Sequence, residues 1–291
     1  MLEHHLQRVG LIAGWGGYPL VIAQALRRQG VEVYCLGVAG YADPALRDAC
    51  HDFRWIGLAR FGTAIRHFQR HGIRQATMAG KIHKGFMFQP WFWLRLVPDL
   101  PTVRAFLPHF LTRQRDCKDD TLLMRVVQLF AAAGIEIGPA SDYAPELLVP
   151  AGPISRRVPT PGQWKDIRFG WTVAKELGRL DIGQSVAVKN QAVLAVEAVE
   201  GTDQCIRRAG ALCPAGEITV VKVAKPQQDM RFDVPTIGPG TLESMVAAGA
   251  RVLAVEAGRT IILDAPKLIA LADRHKLVLV ALDHEAGGSD E

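Results

Sequence analysis

The stretch VGLIAGWGGYPL, residues 9–20, predicts the opening of an α/β domain. Its apolar first part, residues 9–13, is typical of a strand, and the glycines that follow indicate a tight turn. Pro19 suits the first position of a helix over residues 20–29, which Gly30 ends. Residues 31–38 then form a second predicted strand. This order of strand, turn, helix and strand predicts a Rossmann-like parallel sheet in the N-terminal half.

The glycine turn contains Gly14, Gly16 and Gly17, which are candidate substrate-binding residues. The N-terminus of a helix that follows such a turn offers amide groups to a phosphate. The dinucleotide-binding fingerprint is incomplete, because the third spaced glycine is missing and no acidic residue closes the second strand. The pattern therefore disfavours NAD. It leaves two interpretations open: a phosphate or nucleoside near the turn, or glycines needed only for its sharp bend.

A second candidate binding segment follows the strand predicted at residues 75–78. Gly80 and Lys81 come shortly after this strand. The carboxyl ends of strands in open α/β sheets face the ligand crevice. We therefore predict that Gly80 and Lys81 contact the substrate.

Proline content predicts where the chain divides. Residues 139–161 hold six prolines and little periodicity, which indicates a linker between a domain at residues 1–138 and another at residues 162–291. The second domain mixes helices with hairpins predicted at residues 186–199 and 251–263. This mixture favours an α+β domain with a mixed sheet. The sequence thus predicts an α/β protein of two domains.

The loop KPQQDMRFD, residues 225–233, which we call the charged loop, is the candidate catalytic segment. It follows an apolar strand at residues 218–224 and carries Asp229 and Asp233, with Lys225 and Arg231 beside them. Carboxylates bind hard metal ions and basic side chains bind phosphate oxygens, so the mixture suits a phosphate bridged by a cation. The alternative is a solvated loop whose charges offset one another.

Other carboxylates of the second domain recur at predicted strand ends. If they converge with Asp229 and Asp233, they form a site for Mg²⁺ or Mn²⁺, which polarises a phosphoryl oxygen and positions water. The same carboxylates also have possible structural roles. They could shape the start of a helix that Thr202 or Asp203 caps, form an ion pair with an arginine, or support a turn. These carboxylates are Glu197, Glu200, Asp203 and Glu256.

Composition limits the possible classes of protein. The 291 residues are 49% hydrophobic and 22% charged, which is typical of a globular protein. The net charge of +5 suits anionic substrates or an anionic membrane surface, and no basic block or zinc-finger pattern indicates nucleic acid. Five cysteines without a C-x-x-C pair, a polar N-terminus and the lack of a long apolar run predict a cytoplasmic protein.

Two further features carry predictions about surfaces. Residues 86–98 concentrate aromatic and aliphatic side chains. This composition suits binding of acyl chains or peripheral contact with the inner membrane, and packing in the core or in a homodimer is the alternative that we favour. Four histidines are interpreted as lacking the spacing of metal ligands and are predicted as surface or core residues: His51, His67, His71 and His109.

Short motifs, in order along nearly the whole chain, carry a family resemblance. They are GLIAG (10–14) with PL (19–20), GKI (80–82), DDTLL (119–123), DIGQ (181–184), VEAVEGTD (196–203), KP and QDMRFD (225–233), and EAG (256–258). With these motifs the sequence resembles the cytoplasmic UDP-2,3-diacylglucosamine pyrophosphatases of the LpxI type, from lipid A biosynthesis. It departs from that pattern at Trp15, Tyr18 and Lys118, which concern pocket walls rather than the charged loop.

The resemblance implies an activity. The expected reaction is Mg²⁺-dependent hydrolysis of UDP-2,3-diacylglucosamine, with water attacking the α-phosphorus to give UMP and 2,3-diacylglucosamine 1-phosphate (lipid X). The resemblance also implies two domains with the substrate between them.

The resemblance assigns roles to the charged loop. Asp229 becomes the leading catalytic or metal-binding carboxylate, with Asp233 as its partner. Lys225 and Arg231 neutralise the diphosphate, Lys225 within the catalytic group. The remaining candidates are the supporting metal ligands Glu200 and Asp203 and the substrate-binding residues Gln228 and Thr202.

Two other classes of protein compete with this reading. The glycine turn alone is compatible with an NAD(P)-dependent oxidoreductase. The aromatic segment is compatible with a non-catalytic carrier of lipid or nucleotide. Formation of a phosphate-containing product from a UDP-lipid, and its loss with a chelator, separates the enzyme from the carrier.

Overall fold

The computed structural model describes residues 8–82, 97–111, 119–231 and 234–283, with backbone alone at residues 107–111 and 119–122. Asp233, Lys118 and residues 86–96 of the aromatic segment lie outside this part of the chain. The chain forms two compact units. The first contains Met1–Pro145 and Asp229–Phe232, and the second contains Glu146–Gln228 and Asp233–Glu291.

The first unit is built around a parallel sheet. Its elements in chain order are β1 (Arg8–Ala13), α1 (Tyr18–Arg28), β2 (Glu32–Val38), α2 (Leu46–Ala49), β3 (Asp52–Ile56), α3 (Phe61–Arg70), β4 (Gln75–Ala79), α4 (Leu100–Leu111), α5 (Asp119–Ala132) and β5 (Glu136–Gly138). In the described residues the five strands lie in the order β3-β2-β1-β4-β5, and each neighbouring pair is parallel. The predicted Rossmann-like sheet is confirmed.

The core of the first unit explains why these strands form. Alternate residues of a strand point to opposite faces of the sheet. Leu36 and Val38 of β2 pack in one cluster with Phe68 of α3 and Phe130 of α5, all of them buried. Both phenylalanines are fully enclosed, and burial of a side chain of this size stabilises the fold by about 1.5–3 kcal/mol.

The strand order places the glycine turns at one edge of this sheet. The chain runs from β1 outward to β2 and β3, then returns to β4 on the other side of β1. Ligands of open α/β sheets bind at the carboxyl ends of the strands, where the order reverses in this way. Residues 14–17 follow β1 and residues 80–81 follow β4, so both segments lie at that point.

The second unit contains a mixed sheet. Its elements are β6 (Gly152–Pro153), α6 (Pro161–Arg179), β7 (Ser185–Lys189), β8 (Ala192–Val196), α7 (Thr202–Leu212), β9 (Ile218–Lys222), β10 (Thr236–Ile237), α8 (Pro239–Ala247), β11 (Ala250–Glu256), β12 (Ile261–Ile262), α9 (Ala265–Arg274) and β13 (Val278–Leu282). The six strands described lie in the order β6-β13-β11-β9-β7-β8. Strands β9, β11 and β13 are parallel, and the other three are antiparallel to their neighbours. The predicted α+β mixed sheet is confirmed.

The segment at residues 139–161 contains short regular elements. Two 3₁₀ turns, Ala140–Tyr143 and Pro145–Leu147, precede strand β6. The first turn is fixed within the first unit, because Gln29 Nε2 donates to the Tyr143 carbonyl at 2.7 Å. Strand β6 pairs with β13 in the second unit.

One of the two predicted hairpins is wrong. Strands β7 and β8 pair in antiparallel register, as residues 186–199 predict. Residues 251–263 do not pair with one another: β11 lies between β9 and β13, and β12 pairs in parallel with β10. The strands adjacent in sequence have more favourable partners elsewhere in the sheet, which short turn signals do not reveal.

Helix α6 supports one face of this sheet. Thr160 and Gln163 form a reciprocal capping box at its start, which satisfies backbone N–H groups that a helix otherwise leaves free. Its residues Ile167, Trp171 and Ala174 are buried against apolar side chains of the sheet. Among the described residues, no helix is long and apolar enough to cross a bilayer.

Candidate active site

The two glycine turns of the first unit are joined by backbone hydrogen bonds. Gly14 N donates to the Ala79 carbonyl at 2.8 Å. Trp15 and Lys81 exchange two bonds, from Trp15 N to Lys81 O at 2.8 Å and from Lys81 N to Trp15 O at 2.9 Å. The structure thus brings together Gly14, Gly16, Gly17, Gly80 and Lys81 at the carboxyl edge of the sheet.

Close packing of these turns explains two of the glycines. Gly80 has φ of +92°, a conformation that favours glycine. A Cβ atom there would lie 2.8 Å from the Gly14 carbonyl carbon and 2.9 Å from Trp15 O. A Cβ atom on Gly14 would lie 2.9 Å from Lys81 O. Glycine is therefore needed at positions 14 and 80 so that the two turns can approach each other, whether or not a ligand binds there.

We expect Gly80→Ala to lower the free energy of unfolding by about 1–3 kcal/mol, because the variant combines a strained φ with a backbone clash. Gly72→Ala is the matched control, since Gly72 has φ of +68° but no atom within 4 Å of its ideal Cβ position. Urea unfolding of both variants measures the difference. Equal losses of stability would contradict the close approach of the turns.

The entrance to helix α1 presents the polar and aromatic groups of this edge. No acidic residue lies in the first turn of α1, so the positive end of the helix dipole is not offset there. Trp15 is 50% exposed, whereas Tyr18 is buried. The Tyr18 hydroxyl makes no hydrogen bond within the described residues, and burial, followed by the charge of Asp142, raises the pKa of Tyr18. The edge is suited to an anionic group.

Lys225 and Gln228 shape the start of the charged loop in the second unit. Lys225 N donates to Gln228 Oε1 at 3.0 Å, and Gln228 N donates to Lys225 O at 3.0 Å. The Lys225 side chain is buried, and its Nζ lies 2.5 Å from Asp181 Oδ1. Asp181 therefore neutralises the ammonium to which the family resemblance gives a role at the diphosphate.

Asp229 and Arg231 form a compact ion pair that clusters with the first unit. Arg231 Nη2 donates to Asp229 Oδ2 at 2.5 Å and Arg231 Nε to Asp229 Oδ1 at 2.9 Å. The Arg231 backbone N–H also donates to Oδ1 at 3.0 Å. Burial alone would raise the pKa of Asp229, but the hydrogen bonds from Arg231 outweigh it and hold that pKa below its usual range. The carboxylate is therefore ionised at neutral pH.

A buried glutamate anchors the strand end that leads into the charged loop. Glu256 is fully buried, and its Oε2 accepts Lys175 Nζ at 2.7 Å and Ala224 N at 2.8 Å. Lys175 Nζ also donates to the Ala224 carbonyl at 3.0 Å. Burial lowers the pKa of Lys175, and its contacts with Glu256 oppose that shift. This triad fixes the backbone immediately before Lys225.

A second buried polar network contains the predicted residue Thr202. Its hydroxyl accepts Lys222 Nζ at 2.9 Å and donates to Glu197 Oε1 at 2.9 Å. Lys222 Nζ donates as well to the Thr236 carbonyl at 3.1 Å. Glu197 Oε2 makes no hydrogen bond within the described part of the chain. Lys222 could not be recognised from sequence, because it lies in an apolar strand between two valines and belongs to no functional motif.

The predicted metal ligands differ in how well they fit a hard cation. Glu200 Oε1 accepts Arg208 Nη2 at 2.6 Å, and Asp203 lies in the first turn of α7, where a carboxylate stabilises the helix dipole. Glu200, which precedes α7, therefore has a structural partner in Arg208 of that helix, and Asp203 has a structural role at the start of the helix. The ionised oxygens of Asp229 are the hard donors that Mg²⁺ prefers. Within the described ranges, the group of three side chains whose ligand atoms converge is a different one: Asp52, His67 and His71.

Two family models and one curated relative match the chain. The LpxI N-terminal domain matches residues 8–147 and the LpxI C-terminal domain matches residues 150–280. The chain is 34% identical over 286 residues to the UDP-2,3-diacylglucosamine pyrophosphatase LpxI of Caulobacter vibrioides, with 96% of this chain and 98% of the relative covered. The matched ranges include the glycine turns and the charged loop. On this evidence the chain belongs to the LpxI family.

Proposed function

We propose that this chain hydrolyses the diphosphate of UDP-2,3-diacylglucosamine in lipid A biosynthesis, giving UMP and lipid X. The observation that carries the proposal is the similarity to the Caulobacter pyrophosphatase along 96% of the chain. The glycine turns, which carry part of the resemblance in sequence, lie at the carboxyl ends of β1 and β4, where open α/β sheets bind their ligands. Neither an oxidoreductase nor a carrier has comparable support.

Asp229 is proposed to hold a cation rather than to remove a proton. A general base works best when its pKa lies near the working pH. Arg231 keeps the pKa of Asp229 below its usual range, so the carboxylate is a weak base but a permanent anion. Together with Asp233, Asp229 would hold Mg²⁺, which supplies positive charge that polarises a phosphoryl oxygen when bound.

Arg231 is proposed to exchange partners when substrate arrives. Its guanidinium binds the Asp229 carboxylate through two nitrogens, and the same fork matches the oxygens of a phosphate. Transfer of Arg231 to the diphosphate would release the Asp229 oxygens toward the cation. Gly14, Gly80 and Lys81 are proposed to bind the nucleotide part, with the N–H groups of α1 nearby.

The purified full-length chain tests the proposed reaction directly. With UDP-2,3-diacylglucosamine and Mg²⁺ we expect UMP and lipid X in equal amounts, identified by mass spectrometry. We expect EDTA to lower the rate at least about 100-fold, because one electrostatic contribution to the transition state is worth about that much, and Mg²⁺ or Mn²⁺ to restore it. Absence of UMP from a folded sample with Mg²⁺ would overturn the proposal.

Hydrolysis in H₂¹⁸O determines which phosphorus the water attacks. Attack at the α-phosphorus, which we propose here, leaves ¹⁸O in UMP. Label in the phosphate of lipid X instead assigns the attack to the β-phosphorus. That result would contradict this part of the proposal while leaving the hydrolysis itself intact.

The proposed substrate also bears on where the protein acts and how it assembles. A diacylated substrate resides at a membrane, and the net charge of +5 favours contact with anionic lipid. We propose a cytoplasmic protein with peripheral contact at the inner membrane, and a homodimer as its assembly. Co-sedimentation with phosphatidylglycerol vesicles tests the first, and analytical ultracentrifugation tests the second. A protein that stays in the supernatant, or sediments as a monomer, contradicts the corresponding part.

A further inference from the structure

A second cluster of ligand-type side chains lies at the opposite edge of the parallel sheet. Asp52 is the first residue of β3, whereas His67 and His71 lie in and just after the last turn of α3. In a parallel sheet the strand starts share one edge and the strand ends share the other. The cluster is therefore at the edge remote from the glycine turns, which follow the ends of β1 and β4.

The ligand-type atoms of this cluster converge. Asp52 Oδ2 and His67 Nε2 lie 3.1 Å apart. Both atoms are buried, and neither has a hydrogen-bond partner of good geometry within the described residues. Buried polar atoms are satisfied in almost all native structures, and this pair is satisfied either by a proton on His67 Nε2 or by a cation that both atoms bind. Ligand atoms of Asp52, His67 and His71 all lie within 4.8 Å of one another.

One ring nitrogen of His71 is bound to the backbone. Its Nδ1 lies 2.9 Å from the His67 carbonyl oxygen, which accepts the proton at Nδ1 and leaves Nε2 as the free lone pair. Metal-binding histidines generally use their second nitrogen in this way. The Tyr34 ring packs on His71 with centroids 4.7 Å apart. Arg54 Nε lies 3.5 Å from Asp52 Oδ2, but the Arg54 side chain is 60% exposed and can move into solvent.

We propose that Asp52, His67 and His71 bind a transition-metal ion, with Zn²⁺ as the best fit. Two imidazoles and one carboxylate suit Zn²⁺, whereas Mg²⁺ prefers oxygen ligands alone. Two ligands of a tetrahedral Zn²⁺ lie about 3.3 Å apart, close to the distance between Asp52 Oδ2 and His67 Nε2. Three protein ligands leave the fourth position for water. The ion would fasten the end of α3 to the start of β3.

This site is independent of the proposed hydrolysis, because it uses none of the residues of the glycine turns or the charged loop.

Metal binding by the full-length chain tests the site. Titration of the Asp229→Asn variant, which lacks a proposed Mg²⁺ ligand, should show that it binds one equivalent of Zn²⁺. Co²⁺ bound in place of Zn²⁺ should give the intense visible absorption of tetrahedral coordination. His71→Gln and Asp52→Asn should each raise the Kd for Zn²⁺ more than about 100-fold, since loss of a direct ligand exceeds the 10–100-fold cost of losing its hydrogen-bond partner.

His275→Gln is the matched control, because His275 also follows the last turn of a helix but lies outside the cluster. It should bind Zn²⁺ like the wild type. Circular dichroism of each variant establishes that the fold is retained. The proposal is overturned if Asp229→Asn binds no Zn²⁺, or if His71→Gln and Asp52→Asn bind it with wild-type affinity. If the chain binds Zn²⁺ as expected but does not hydrolyse UDP-2,3-diacylglucosamine, that result contradicts the proposed function and leaves the Zn²⁺ site intact.

Discussion

Asp229→Asn is expected to lower kcat/KM for UDP-2,3-diacylglucosamine about 10³-fold. The substitution keeps the shape of the side chain but removes the charge that pairs with Arg231 and is proposed to hold the cation. Loss of one preorganised electrostatic contact in an active site costs about 10²–10³ in rate, and loss of cation binding adds to this. Initial rates of UMP release at several substrate concentrations measure the effect.

Asp273→Asn is the matched control for this variant. Asp273 and Asp229 are equally exposed, at 21%, and each pairs with an arginine. Asp273 lies in α9, outside the candidate site, so we expect its variant to retain activity within about twofold, as for a surface change of little energetic effect. An Asp229→Asn protein that is folded and turns over at near the wild-type rate would remove Asp229 from the mechanism.

Glu256→Ala is expected to destabilise the protein by about 3–5 kcal/mol. The substitution leaves the Lys175 ammonium, 14% exposed, without its carboxylate, and it deprives Ala224 N of its acceptor. Breaking one side of a buried ion pair costs this much because the remaining charge stays buried. The midpoint of urea unfolding, followed by circular dichroism, measures the loss.

Glu176→Ala provides the comparison, because Glu176 is the neighbour of Lys175 on α6 and pairs with Arg179 at the surface. Its loss should cost less than about 1 kcal/mol. The double variant Lys175→Met with Glu256→Leu removes both charges and should recover much of the stability. If Glu256→Ala costs no more than Glu176→Ala, the triad does not anchor the loop.

The fold was predictable where the sequence pattern is local. Residues 9–38 predict a strand, a turn, a helix and a second strand, because the apolar runs, Pro19 and Gly30 each influence the backbone conformation only of nearby residues. Strand pairing depends instead on contacts between distant segments. The hairpin predicted at residues 251–263 is wrong for that reason: β11 is enclosed by β9 and β13, to which no short turn connects it.

The candidate site was predictable in its residue types and not in its partners. The charged loop was evident from Asp229, Lys225 and Arg231, but the partner of Lys225 is Asp181, 44 residues earlier in the chain. Only the folded backbone brings such pairs together. The catalytic and binding roles of all the candidate site residues, Asp233 and Gln228 included, stay predictions.

The histidine pair shows a signal that sequence reasoning overlooked. His67 and His71 are four residues apart, a spacing that places both side chains on one face of a helix. The interpretation that they lack ligand spacing overlooked this, and metal binding by the pair stays a prediction. Asp52 could not have been joined to them from sequence, because it lies on a different element and meets them only when β3 packs beside α3.

The proposed hydrolysis is tested most directly by following UDP-2,3-diacylglucosamine with ³¹P NMR in the presence of the full-length chain and Mg²⁺. We expect the two coupled diphosphate resonances to disappear and two phosphomonoester resonances, from UMP and lipid X, to replace them. Diphosphate signals that persist unchanged, with the protein folded and Mg²⁺ present, would contradict it.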